Sequence, residues 1–158
     1  MKALILYYSH SGNTRRVAEM IQLKTGWDIA GIEPLTPYPE DYDSVVNQGK
    51  REVQQGFEPE LKPLGVSLDS YDTIILGTPV WWYTFAPPVK SVLSAQRWAG
   101  RTIHSFATNG GGVGHIFEDL RKICAGAEFG ECLNLRFDGN RMRTSEKELD
   151  RWIHQINL

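Results

Sequence analysis

Apolar residues in this chain fall into short unbroken runs separated by longer stretches of helical spacing. The first run, Ala3-Leu4-Ile5-Leu6-Tyr7-Tyr8, has no polar interruption, as a strand buried on both faces requires. Val17, Met20 and Ile21 then recur at helical spacing. Trp27 to Ile32 is a weaker strand, placed at an edge, and Leu35 to Glu40 is a loop carrying Pro37 and Pro39. Tyr42, Val45, Val46, Val53 and Phe57 mark one long amphipathic helix, weakened by Gly49 and ended by Gly56. Glu58 to Ser70 is a further loop.

The second half repeats the alternation. Thr73-Ile74-Ile75-Leu76-Gly77 is a central strand. Thr78 to Pro88 reads as a loop whose last two prolines suit the first turn of a helix with Val89, Val92 and Leu93 inward. Thr102 to Ala107 is the fourth strand, and Ile116, Phe117, Leu120, Ile123 and Cys124 mark the fourth helix. Cys132 to Phe137 alternates, as an edge strand with one wet face would. Ser145 and Glu148 have capping-box spacing ahead of Leu149, Trp152, Ile153 and Ile156.

Five strands alternating with helices predict an α/β fold: a doubly wound, mostly parallel five-stranded sheet with helices on both faces. The expected strand order is 2-1-3-4-5. Residues 1–158 contain no repeat, low-complexity tract or long linker, so one domain is expected. In that order strands 1, 3 and 4 are neighbours. The three unusual loops of the chain follow those strands and gather at the switch point, where ligands bind.

The first loop is Ser9-His10-Ser11-Gly12-Asn13-Thr14. A strand, a small hydroxylated loop and a helix make a phosphate cradle, because the helix N-terminus offers unpaired N–H groups and partial positive charge. The same residues would also serve as a plain helix cap, through Ser11 or Thr14. The second loop, Thr78-Pro79-Val80-Trp81-Trp82-Tyr83-Thr84-Phe85, holds four aromatic residues within five positions. One of Trp81 and Trp82 is expected to cap the core beneath the following helix and the other to meet a flat ligand. The third loop is Thr108-Asn109-Gly110-Gly111-Gly112-Val113-Gly114, a backbone able to pass very close to a ligand. A phosphate cradle, a planar aromatic surface and a glycine wall match flavin mononucleotide (FMN) better than ATP or NAD. Neither G-x-x-x-x-G-K-[ST] nor a G-x-G-x-x-G after the first strand is present.

Charge and composition narrow the partners. A net charge of −2 gives no electrostatic basis for nucleic-acid binding. The N-terminus, one Lys2 and six apolar or aromatic residues, is too short for a signal peptide or a membrane span. Cys124 and Cys132 fit neither a zinc pair nor a C-x-x-C motif and read as reduced thiols in a cytoplasmic protein. No His, Cys and carboxylate cluster has metal spacing. Arg15 and Arg16 read as solvated first-turn positions, and Arg136, Arg141 and Arg143 as a solvated basic face. His10 either donates to phosphate or points to solvent, His115 lines the ligand's edge, and His104 faces a helix across the sheet.

With these motifs in place, the chain resembles the flavodoxins over nearly its whole length. The S-x-S-G-N-T loop, the T-P-V-W-W segment and the T-N-G-G-G-x-G loop stand where that family binds FMN. The resemblance implies that Ser9, His10, Ser11, Gly12, Asn13 and Thr14 hold the phosphate. It implies that Thr78, Pro79, Val80, Trp81, Trp82 and Tyr83 pack against the isoalloxazine. Thr108, Asn109, Gly110, Gly111, Gly112 and Gly114 would close the other side. Many flavodoxins place a Tyr in the third loop and are strongly acidic; this chain has no aromatic between Asn109 and His115 and a net charge of only −2. It therefore resembles a divergent, glycine-loop branch, with one flavin face bare or covered only by backbone.

The implied role is electron transfer between redox partner proteins, a reductase and an acceptor, with no catalytic side chain. Backbone groups of Pro79 to Trp82 would tune the flavin. The alternative is an FMN-dependent NAD(P)H or quinone reductase of the same fold, acting on a small quinone-like substrate. A module binding some other phosphate ligand fits the tryptophan pair least.

Overall fold

The computed structural model describes residues 1–157. Its sheet is built on five long strands: β1 (Ala3–Tyr7), β2 (Asp28–Gly31), β3 (Thr73–Trp81), β5 (Thr102–Asn109) and β7 (Leu133–Asp138). These pair in parallel in the spatial order β2-β1-β3-β5-β7, the expected 2-1-3-4-5 arrangement. Three two-residue strands extend it. β4 (Thr84–Phe85) folds back on β3, β6 (Glu128–Phe129) pairs with β5, and β8 (Arg141–Met142) pairs antiparallel with β7 at the edge.

The helices are α1 (Asn13–Thr25), α2 (Tyr42–Gln55), α3 (Pro87–Leu93), α4 (Ile116–Ile123) and α5 (Glu146–Ile156). The period-2 alternation of β1 divides them between the faces. Leu4 and Leu6 join Ile74, Leu76, Val89, Leu93, Ile116 and Leu120 on one face. Ala3 and Ile5 join Ile75, Val17, Ile21, Leu149 and Trp152 on the other. Burial on both faces is why these strands carry unbroken apolar runs.

Two glycines are dictated by packing. A Cβ on Gly77 would lie 2.2 Å from the Phe106 ring of the neighbouring strand, so glycine makes room for that fully buried ring. Gly49 is buried in α2, and a Cβ there would come within 3.2 Å of Trp81. The residue that weakens the helix thus admits an aromatic ring.

Two expectations need correction. The stretch from Thr78 to Phe85 is not an open loop: β3 runs on to Trp81 and turns tightly into β4. Leu133–Asp138 alternates as expected but is not the edge, because β8 flanks it. His104 rests on Gly130, in the segment between β6 and β7, where a Cβ would fall 2.1 Å from its Nδ1. Burial lowers the pKa of this imidazole. Both cysteines are free, and burial pushes the Cys124 thiol up to about 12, which keeps it unreactive.

Candidate functional site

The loop after β1 ends in Gly12, which has φ of 102° and opens α1. No side chain caps this helix, so its first-turn N–H groups face outward. Gly12 N–H donates to Ser9 Oγ at 3.2 Å, while His10, Ser11 and Gly12 are exposed. A Cβ on Gly12 would meet no atom within 4 Å. Asn13 Nδ2 and Arg16 Nη1 bond the carbonyls of Gly139 and Asn140, which fix the β7–β8 turn beside this helix end.

The hairpin of β3 and β4 carries the aromatic residues. Its two turn residues, Trp82 and Tyr83, have φ of 50° and 69°, the left-handed geometry that two-residue hairpin turns require and that favours glycine or asparagine. Trp81 is half-buried among three rings packed edge-on: Tyr8, His10 and Tyr38, at centroid distances of 5.8, 5.9 and 5.0 Å. Trp82 turns away onto α2, where its Nε1–H donates to Val46 O at 2.8 Å and the Lys50 ammonium sits over its ring. Both tryptophans therefore lean on the preceding helix α2, not on the following helix as expected. Tyr83 is 65% exposed.

The third loop is bare backbone. Gly110, Gly111 and Gly112 are exposed, and a Cβ on Gly111 or Gly112 would meet nothing within 4 Å. Gly114 is the opposite case: at φ of 56°, a Cβ there would lie 2.4 Å from Tyr83 O.

Three contacts join the loops into one edge. The Thr14 and Thr108 hydroxyls share a hydrogen bond of 2.7 Å, joining the first loop to the third. The His10 and Trp81 rings join the first to the second. His115 N–H donates to Tyr83 O at 2.9 Å, joining the second to the third.

Several residues nominated from the sequence point inward. Thr14, Thr78 and Thr108 are buried. Thr78 Oγ1 donates to Pro79 O and accepts from Ala86 N–H, which pins the hairpin. Asn109 donates to Asn134 Oδ1 at 2.6 Å and accepts from Gly112 N–H, which shapes the glycine loop. His115 Nδ1 meets Asp119 Oδ2, which also accepts from Thr84 Oγ1 at 2.6 Å.

Tyr8 and Tyr38 were not singled out from the sequence. Tyr8 ends an apolar run and Tyr38 stands between two prolines; the only signal was an aromatic ring next to a loop. Burial raises both phenol pKa values, and Tyr38 also donates to Glu52 Oε1 at 2.5 Å, which raises it further. Both phenols stay neutral in water near neutral pH.

Among the described residues no group of His, Cys, Asp and Glu is arranged to hold a metal, and no helix is long and apolar enough to cross a membrane. Open space above Gly12, Gly111 and Gly112, an uncapped helix end and an anchored indole fit a flat molecule with a phosphate tail.

Comparison with known proteins agrees. A search of curated proteins finds no match. A solved structure of a candidate flavoprotein from Bacteroides eggerthii DSM 20697 is similar at 27% identity and a TM-score of 0.83, with 99% of this chain and 98% of that one covered. A flavoprotein from Lactobacillus acidophilus NCFM, solved in complex with FMN, has the same fold at 23% identity and a TM-score of 0.74, covering 96% and 97% of the two chains. The flavodoxin family model matches residues 2–156, and the chain belongs to the flavodoxin family.

Proposed function

We propose that the chain binds FMN without a covalent bond and serves as an electron-transfer protein. The observation that carries the reading is the uncapped, outward-facing start of α1 on the same sheet edge as Trp81. The first-turn N–H groups, with Ser9 and Ser11, hold the phosphate through oriented dipoles and hydroxyls. Trp81 offers the flavin a ring that three neighbours hold in place. Thr14, Thr78, Thr108 and Asn109 act by positioning the loops, because their polar groups already bond to one another, to backbone or to the Asn134 side chain.

When bound, FMN supplies the redox chemistry; the protein's part is to orient it, exclude water and tune its potential. Val80 and Trp81 are paired with Phe85 and Thr84. The turn at Trp82 and Tyr83 therefore offers its backbone to the flavin, Trp82 lying within the segment expected from the sequence and Tyr83 one step beyond it, with Tyr83 O already held by His115 N–H.

A second reading, an FMN-dependent NAD(P)H or quinone reductase, draws on one observation. Gly110 to Gly112 are exposed and carry no ring, so one flavin face stays open to a small substrate. Adding NADH or NADPH to the FMN-loaded protein without air separates the two. A protein that stays oxidised is a carrier needing a separate reductase. Prompt bleaching makes it a reductase. A protein that retains no FMN overturns both.

A further inference from the structure

Beside the glycine loop, the β7–β8 hairpin forms a second polar feature that the flavin reading leaves unused. Arg136 O accepts from both Arg143 N–H, at 2.7 Å, and Thr144 N–H, at 3.3 Å. Arg136 N–H in turn donates to Thr144 Oγ1 at 2.8 Å. Two residues just beyond the end of β8 thus oppose one of β7, a bulge-like arrangement that re-aims side chains. Arg136 and Arg143 line one open cavity of about 580 Å³ with Gly110, Phe137, Asp138 and Thr144. Gly110 sits on its rim, where a Cβ would be 3.4 Å from Phe137 O.

Like charges held opposite one another on paired strands destabilise the pair. Among the described residues neither arginine is in an ion pair. Asp138 is the one carboxylate at the cavity and lies opposite Arg141, so Arg136, Arg141 and Arg143 leave the hairpin at +2. Two exposed arginines lining one cavity match a phosphate dianion, which accepts paired N–H donors and relieves the repulsion. The cavity has the size of a small-ligand site.

We propose that this cavity binds a phosphate group of a nucleotide, the pyrophosphate or 2′-phosphate of a nicotinamide dinucleotide lying beside the flavin. The choice of that nucleotide rests on the FMN reading above; the phosphate chemistry rests on the arginine pair alone. On the reductase reading above, the consequence is that a nicotinamide passes a hydride to the flavin directly and leaves oxidised.

The test is an amide NMR titration of the FMN-loaded protein, so that the first loop is already filled. The probes are 2′,5′-ADP, 5′-AMP and inorganic phosphate, against wild type, Arg136→Gln, Arg143→Gln and an exposed control, Arg97→Gln. The proposal expects the Gly110, Arg136 and Thr144 amides to move. It expects a nucleotide to bind more tightly than inorganic phosphate. Each cavity variant should weaken binding by about tenfold, the loss of one charge-assisted fork, while Arg97→Gln does nothing. Affinity should fall with added salt. Unmoved amides with every probe at millimolar concentration overturn the site. Equal affinity for nucleotide and inorganic phosphate overturns the nucleotide. The flavin spectrum, followed in the same sample, reports on the FMN reading independently, and its retention in both variants shows that they fold.

Discussion

The hairpin carrying Trp81 and the loop running from Asn109 to Gly114 face each other across the same sheet edge and are built on opposite plans. The hairpin is side chain held by side chain: Trp81 against Tyr8, His10 and Tyr38, and Trp82 bonded to Val46. The glycine loop is backbone held from below, by Asn109 to Gly112 and by Thr108 to Thr14. One wall offers a fixed ring and the other offers access. A site with one rigid aromatic wall and one open wall fixes the orientation of a flat ligand while leaving room for a second molecule.

The sharpest way to break this contrast is to replace Trp81. Trp81→Ala removes the ring on which the cluster converges and should cost about 2–4 kcal/mol of stability, together with FMN binding. Urea unfolding with and without FMN checks both; a variant that still retains FMN with wild-type affinity would place the flavin elsewhere. The two ends of the glycine loop should then differ. Gly114→Ala forces a Cβ against Tyr83 O at positive φ and should cost about 3 kcal/mol. Gly111→Ala enters open space and should change stability by less than about 0.5 kcal/mol. Similar melting temperatures for these two would refute the idea that Gly114 is closed in by Tyr83 while Gly111 stands in open space.

Within the hairpin, the turn residues separate strain from contact. Tyr83→Gly relieves a left-handed backbone and loses an exposed ring, so it should gain about 1 kcal/mol. Trp82→Gly relieves similar strain but loses the bond to Val46 and the Lys50 contact, so it should show no gain. Thermal unfolding of the pair decides this, and a gain at Trp82 would mean that its packing on α2 contributes little. The smallest effect concerns how the loops are joined. A double-mutant cycle on Thr14→Ala and Thr108→Ala should give a coupling of about 1 kcal/mol from their shared hydrogen bond. Additive losses would mean that the two loops are held independently.

The frame was legible from the sequence because each central strand is buried on both faces. Leu4 and Leu6 serve one core and Ala3 and Ile5 the other, and the unbroken run announces it. Gly56 ended α2 and Ser145 capped α5 as their residue types required. The β3–β4 hairpin was not legible, because its turn places Trp82 and Tyr83 where glycine or asparagine normally gives the signal. The strands β6 and β8 are two residues long and carry no periodicity. At the site, the three loops could be read because glycine, hydroxyl and aromatic residues were concentrated in them. The inward direction of Thr14 and Thr108 could not, since it depends on residues 94 positions apart meeting across the sheet edge. Arg136, Arg141 and Arg143 were read together as a basic face, but the backbone bonds that set Arg143 opposite Arg136 were not, because local sequence does not mark a bulge.

The most direct test of the central claim is to titrate the FMN-free protein with FMN and follow flavin absorbance and fluorescence. The account predicts saturation at one FMN per chain with strong fluorescence quenching, undiminished in Trp82→Phe and largely lost in Trp81→Ala. Free flavin fluorescence persisting in excess protein, or equal quenching with Trp81 removed, would contradict it.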